Sequence, residues 1–321
     1  MSAIHSLRLP LAVLLLAATG MLHAAEDSAP AMQLAEPQRA PLVAVAQAGQ
    51  RLAALGDHGV VVLSDDGQAW RQARSVPVDG LLTALSFADA RQGWAVGHGG
   101  LVLHTADAGE TWDLQARLEG QPVLLSVWFE NALHGIVTGA YGYAAETRDG
   151  GRSWQRLTVS ADGDDYHLNH LFPGPKGSLF IAAEMGNAYR SLDGGATWQL
   201  LDTGASGSLW TGLGLRDGRL LLAGMSGRVL RSDDLGESWH ELDSGSEEAI
   251  TAIAQLPDGR VALAGNGGLV GLSDPGVGRF TATIREDRLN LAALAPLASG
   301  SLLLFGPSGV LPQESGTRPQ P

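Results

Sequence analysis

Beyond residue 40 of this 321-residue chain, apolar residues fall in short runs, and no stretch keeps helical spacing. Gly, Asp, Asn or Ser cut each run off. The segments Leu81–Phe87, Gly93–Gly97, Leu101–Thr105 and Trp112–Gln115 are representative. Runs rich in β-favouring residues, separated by turn residues, predict four short antiparallel strands. The order then repeats. Phe87, Asp89, Gly93 and Gly97 align with Phe129, Asn131, Gly135 and Gly139.

A phrase marks each repeat: Ser/Thr-x-Asp-x-Gly-x-Ser/Thr-Trp. It runs intact from Thr105 to Trp112, Thr147 to Trp154, Ser191 to Trp198 and Ser232 to Trp239. A copy from Ser64 to Trp70 is one residue short, and one starting at Ser273 has Phe280 in place of Trp. The tryptophans at 70, 112, 154, 198 and 239 are about 42 residues apart, the period of a four-stranded propeller blade. A small-residue turn follows the second strand of every unit, and there are seven of these turns, the first Gly56–Gly59 and the last Gly306–Gly309. The expectation is an all-β, seven-bladed β-propeller of four-stranded antiparallel blades over residues 41–312, the last blade incomplete. A ring must protect its sheet edges. The leader, residues 25–40, is therefore expected to supply the missing outer strand from around Met32–Glu36.

The phrase falls at the turn from third to fourth strand. There Asp accepts turn N–H bonds, the hydroxyls add bonds, Gly takes a positive φ and Trp buries its ring. So many copies at equivalent positions cannot all be one active site. They read as fastenings. The phrase is the Asp-box, or bacterial neuraminidase repeat, shared by sialidases and many non-enzymatic propellers. Phe87-x-Asp89, Gly93-Trp94-Ala95-Val96-Gly97 and the following Asp-box together resemble the photosystem II stability/assembly factor family of seven-bladed propellers. The resemblance covers roughly residues 41–310. It implies an exported, non-catalytic protein that helps a membrane complex assemble.

Composition narrows the partners. Residues 1–24, with Arg8 before the apolar run Leu9–Ala18 and small residues at Ala24 and Ala25, read as a secretory signal peptide. The run is too short to span a bilayer, so no membrane insertion is expected after cleavage. The chain has no Cys, hence no disulfide or thiolate chemistry, which suits a periplasmic monomer. A net charge of −13 argues against nucleic acid, whose phosphates need a basic face. Residues 313–321 form a polar tail.

The rival reading is a sialidase-like glycoside hydrolase or carbohydrate-binding propeller. Tyr141, Tyr143, Tyr166 and Tyr189, with Glu146 or Glu184, could supply a nucleophile and its partner. The Arg-Ile/Leu-Pro signature of sialidases occurs only as Arg8-Leu9-Pro10, inside the signal peptide. No catalytic residue, cofactor or metal is therefore expected. Meander geometry puts the Asp-boxes on one face of the ring and the seven small-residue turns on the other. Within those turns Asp57, His58, His98, Tyr141, Glu184, Met185, Met225, Ser226 and Asn266 vary while the flanking glycines recur. The longest acidic insert between blades, Ala161–His170, adds Asp164, Asp165 and Tyr166 to the same face. His167 and His170 in that insert invite a metal reading, but strand alternation should point them apart. These twelve candidates form a varied ring on a fixed scaffold, as a docking surface for a membrane complex or transporter component would. Trp94, Trp128 and Trp210 are expected to pack between blades.

Overall fold

The computed structural model describes residues 29–313, so the expected signal peptide and all but the first residue of the polar tail lie outside the described residues. Seven antiparallel sheets are arranged as a seven-bladed propeller. Six have four strands and the last has three, each in simple meander order. In the second blade the strands are Leu82–Phe87, Gly93–Gly97, Leu101–Thr105 and Asp113–Arg117, nearly as the apolar runs predict. The only helical segments among the described residues are single 3-10 turns.

The core lies between blades. Leu55, Leu63, Leu82, Leu103 and Trp112 join the first blade to the second. Second strands are sandwiched on both sides, which is why Leu220–Gly224 is buried at every position. Burying each such leucine contributes roughly 1.5–3 kcal/mol, spread evenly around the ring. The last blade meets the first through Leu42, Val62, Leu303 and Phe305, with Trp70 edge-on to Phe305 at 5.8 Å.

The strand expected from Met32–Glu36 does not form. The last sheet stays three-stranded, and the leader lies beside the first blade instead. Ala31 N–H donates to Val76 O at 3.0 Å, and the Gln72 amide bonds Met32 O and Leu34 N–H. A 3-10 turn, Pro37–Arg39, follows. The Gln38 backbone there abuts the last hairpin, where a Cβ on Gly309 would lie 1.9 Å from Gln38 O. The leader thus straps first blade to last without extending either sheet.

The Asp-boxes are closed hydrogen-bond units. Thr147 Oγ1 donates to Asp149 at 2.9 Å and accepts from Gly151 N–H at 2.8 Å. Asp149 also accepts from the Ser153 N–H and hydroxyl, and the Trp154 indole donates to Gly151 O. These bonds, the Ser153 hydroxyl's first, hold the Asp149 carboxyl down to about 2. Asp193 and Asp234 are held at the same value by Thr197 and Ser238. The short copy works too, with Asp66 accepting from the N–H groups of Gln68 and Ala69. The worn copy has lost the link, since Ser273 donates to the Asp274 backbone instead.

Candidate partner-docking site

Each varied turn is tied to the start of its own blade's inner strand. The N–H of Asp57 donates to Pro41 O, His98 to Leu81 O, Glu184 to His167 O, Met225 to Ser208 O and Asn266 to Ala249 O, at 2.9–3.3 Å. All the turns therefore share the face where the inner strands begin. The glycine before the turn permits this approach. A Cβ on Gly97 would stand 2.1 Å from Leu81 O.

The third position of the turn is left-handed. His58, Tyr141, Met185 and Ser226 hold φ of 52°, 55°, 59° and 56° there, where the second and sixth blades have Gly99 and Gly267. A side chain in this region carries a conformational cost, roughly 1–2 kcal/mol. Four of these turns carry that cost where glycine would avoid it. Tyr141 and Met185 stand out 72% and 65% exposed, and Met225 in the next blade is 43% exposed. Backbone strain that places side chains outward on one face is a reason to look for function there.

The acidic insert closes onto these turns. Gly142 N–H donates to Tyr166 O at 2.9 Å. The His167 ring meets Tyr141 edge-on at 4.8 Å. Its Nδ1 lies 3.3 Å from both Tyr141 N and Glu184 Oε2, and its backbone N–H donates to Glu184 at 2.8 Å. Tyr141 and Glu184 thus meet at His167, beside Tyr166 and with Met185 next to Glu184 in its turn, and Asp164 and Asp165 are exposed just before it. Asp57, His58 and His98 stand apart on the first two blades, Met225 and Ser226 on the fifth, and Asn266 on the sixth. His170 faces elsewhere. It is partly buried against Phe172, accepts from Gly212 N–H at 3.1 Å, and desolvation pushes it down to about 4. Among the described residues no cluster of three His, Asp or Glu could hold a metal ion.

The structure adds a feature that the sequence reading missed. Six inner strands carry a bulge near their start, at Val43, Thr83, Leu125, Asn169, Trp210 and Thr251. A bulge re-aims its side chain. Five of these residues, with Leu81, line a cavity of about 290 Å³ at the channel mouth. Trp210 is therefore at the mouth, only half-buried, and not simply packed between blades. Thr83, Asn169 and Thr251 each donate to the next blade, at Leu124 O, Leu209 O and Leu291 O. The expectation holds for Trp94, buried and stacked on Phe129, and for Trp128, packed against the Ile136 and Leu179 cluster. The signal for the bulges was present: each residue keeps the same place in its repeat, just before the inner-strand core.

The carboxylates of the rival reading are on opposite faces. Glu184 is on the varied face, while Glu146 lies near the Asp-boxes, held by His134 at 2.9 Å and Arg148 at 2.6 Å. Tyr189 is buried, and Arg156 covers the Tyr143 ring at 3.8 Å.

Fold and site define an Asp-box β-propeller with one face of varied turns around a channel mouth. The chain belongs to the family of photosynthesis system II assembly factor YCF48, whose model matches residues 49–128 and 114–295. Among solved structures, YCF48 bound to D1 peptide is similar, with TM-score 0.71 and 22% identity over 89% of this chain and 96% of that one. YCF48 from Cyanidioschyzon merolae gives 0.67 and 18% over 89% and 98%. Streptogramin B lyase gives 0.74 at 10% identity over 87% and 94%, so the fold is shared with an enzyme and does not by itself decide function. No curated protein matches the chain significantly.

Proposed function

We propose that this chain is a non-catalytic, exported assembly or accessory factor that docks on a component of a membrane protein complex or transporter. It works as a monomer in the periplasm and uses the varied-turn face. The observation that carries this reading is the set of left-handed turn residues, which hold Tyr141 and Met185 outward in adjacent blades. Exposed aromatic and Met side chains beside a concavity are what a protein interface uses as anchors. Family membership supports the same role, as does the D1 peptide bound by the related YCF48.

The test is a pair of surface variants in the cells that make the chain. Tyr141→Ser with Met185→Ser should abolish co-purification with a membrane protein complex. Leu133→Ser with Leu192→Ser changes two residues exposed beside the Asp-boxes and should leave co-purification intact. Retained co-purification in the first pair and loss in the second would refute the proposal. Turnover of sialosides or aryl glycosides that is lost in Glu184→Gln would favour the glycosidase reading.

A further inference from the structure

The channel mouth and its rim differ in kind. The mouth is walled by Val43, Leu81, Leu125 and the Trp210 ring, an open concavity of about 290 Å³. Its two polar side chains are engaged by neighbouring blades, Thr83 on Leu124 O and Asn169 on Leu209 O. No charged group lines it. The volume is at the lower edge of ligand pockets, about 300 Å³, enough for one large side chain and not for a folded element.

Around the third and fourth blades the rim is acidic. From the Leu118 connection to the Gly207 connection, the varied turns and the connections between blades carry Glu119, Asp164, Asp165, Glu184, Asp202 and other carboxylates, but no Lys or Arg. Arg117 and Arg156 sit on outer strands, with Arg156 stacked on Tyr143, and Arg228, just after the fifth turn, is engaged by Ser206 O and Glu241. The Asp-box face differs, because arginines match its carboxylates: Arg51 and Arg71 on Glu110, Arg219 on Asp217, Arg260 on Asp258. Asp164 and Asp165 lead straight into the strand whose bulge, Asn169, walls the mouth. The unmatched charge therefore lies beside the apolar hole.

We infer that the mouth receives an extended segment of the partner in which one large apolar side chain, Leu, Met or Phe, is flanked by Lys or Arg. The apolar side chain enters against Trp210 and Leu125, and the basic flanks lie over Asp164, Asp165 and Glu184. Such a rim repels acidic segments and phosphate surfaces. This inference rests on the docking reading of the same face and adds the chemistry of the partner.

Selection of phage-displayed random twelve-residue peptides on the full chain tests it. The selected peptides should share a large apolar residue flanked by basic ones. Synthetic copies should bind at least about tenfold more weakly to Trp210→Ala, to Trp210→Ser, and to the Asp164→Lys, Asp165→Lys double variant, the last confirming charge at a fully exposed site. Raising salt from about 0.05 to 0.5 M should weaken binding as well. Selected peptides with acidic flanks or no apolar residue, or no selected peptide at all, would overturn the inference. If such peptides still lose binding on Tyr141→Ser and Met185→Ser, docking on this face stands and only the partner chemistry falls. Binding indifferent to every variant on this face would remove both.

Discussion

Replacing one turn glycine separates conformational cost from close packing in this ring. Gly227 closes the fifth varied turn at φ +67°, and a Cβ there would lie 1.8 Å from Ser246 O on the connection to the sixth blade. Gly99 in the second blade has nearly the same φ, +69°, but a Cβ would meet nothing within 4 Å. Gly99→Ala thus incurs only the left-handed cost, about 1 kcal/mol. His58, Tyr141 and Met185 already occupy that position in other blades. Gly227→Ala incurs the same cost and must also push Ser246 away. That adds about 1–3 kcal/mol of overpacking and strains the bond from the Ser244 hydroxyl to Ser246 O. The expected loss is about 2–4 kcal/mol, against about 1 for the control. Urea unfolding followed by tryptophan fluorescence, with equal m-values as the check on two-state behaviour, measures both. Equal losses in the two variants would refute the idea that the turns are clamped to the next connection by contact.

Three further outcomes follow from the same geometry. Asp149, Asp193 and Asp234 titrate near 2 when folded against 3.8 as free groups. Depressed folded values mean that their contribution is complete above about pH 4 and lost as pH falls through about 2. Melting temperature should drop across that window, and Asp193→Asn with Asp234→Asn should flatten the drop; an unchanged profile would contradict the Asp-box account. Thr251→Val removes the hydroxyl bonds to Leu291 O and Ala264 O, and should cost about 1 kcal/mol in urea unfolding. Deleting residues 25–40 should lower the melting temperature, since Gln33 and the Gln72 contacts tie the leader to the first blade; an unchanged melt would show that the strap does not hold the ring.

The fold was legible because each blade repeats its own instructions. The Asp-box, the strand runs and the turn glycines recur, so a reading at one unit could be checked at the others. The position of the leader was not legible. Nothing in Met32–Glu36 distinguishes a strand on the last sheet from a strap held by Gln72, and that choice is made by one amide side chain and by Pro37. The varied face could be placed from meander geometry alone. The meeting of Tyr141 and Glu184 at His167 could not, because it depends on how the insert folds back onto Gly142. Trp210 was misplaced for a physical reason. Its place in an innermost strand suggests packing between blades, and a bulge of one residue turns it to the channel.

In the proposed docking, the varied-turn face, and not the Asp-box face, meets the partner. Photo-crosslinking from a single benzoylphenylalanine tests it directly, placed at Met185 or at Leu192, which are similarly exposed on opposite faces. A discrete crosslinked product with a membrane protein is expected from position 185 and none from 192. A product from 192 alone, or from neither position, would contradict it.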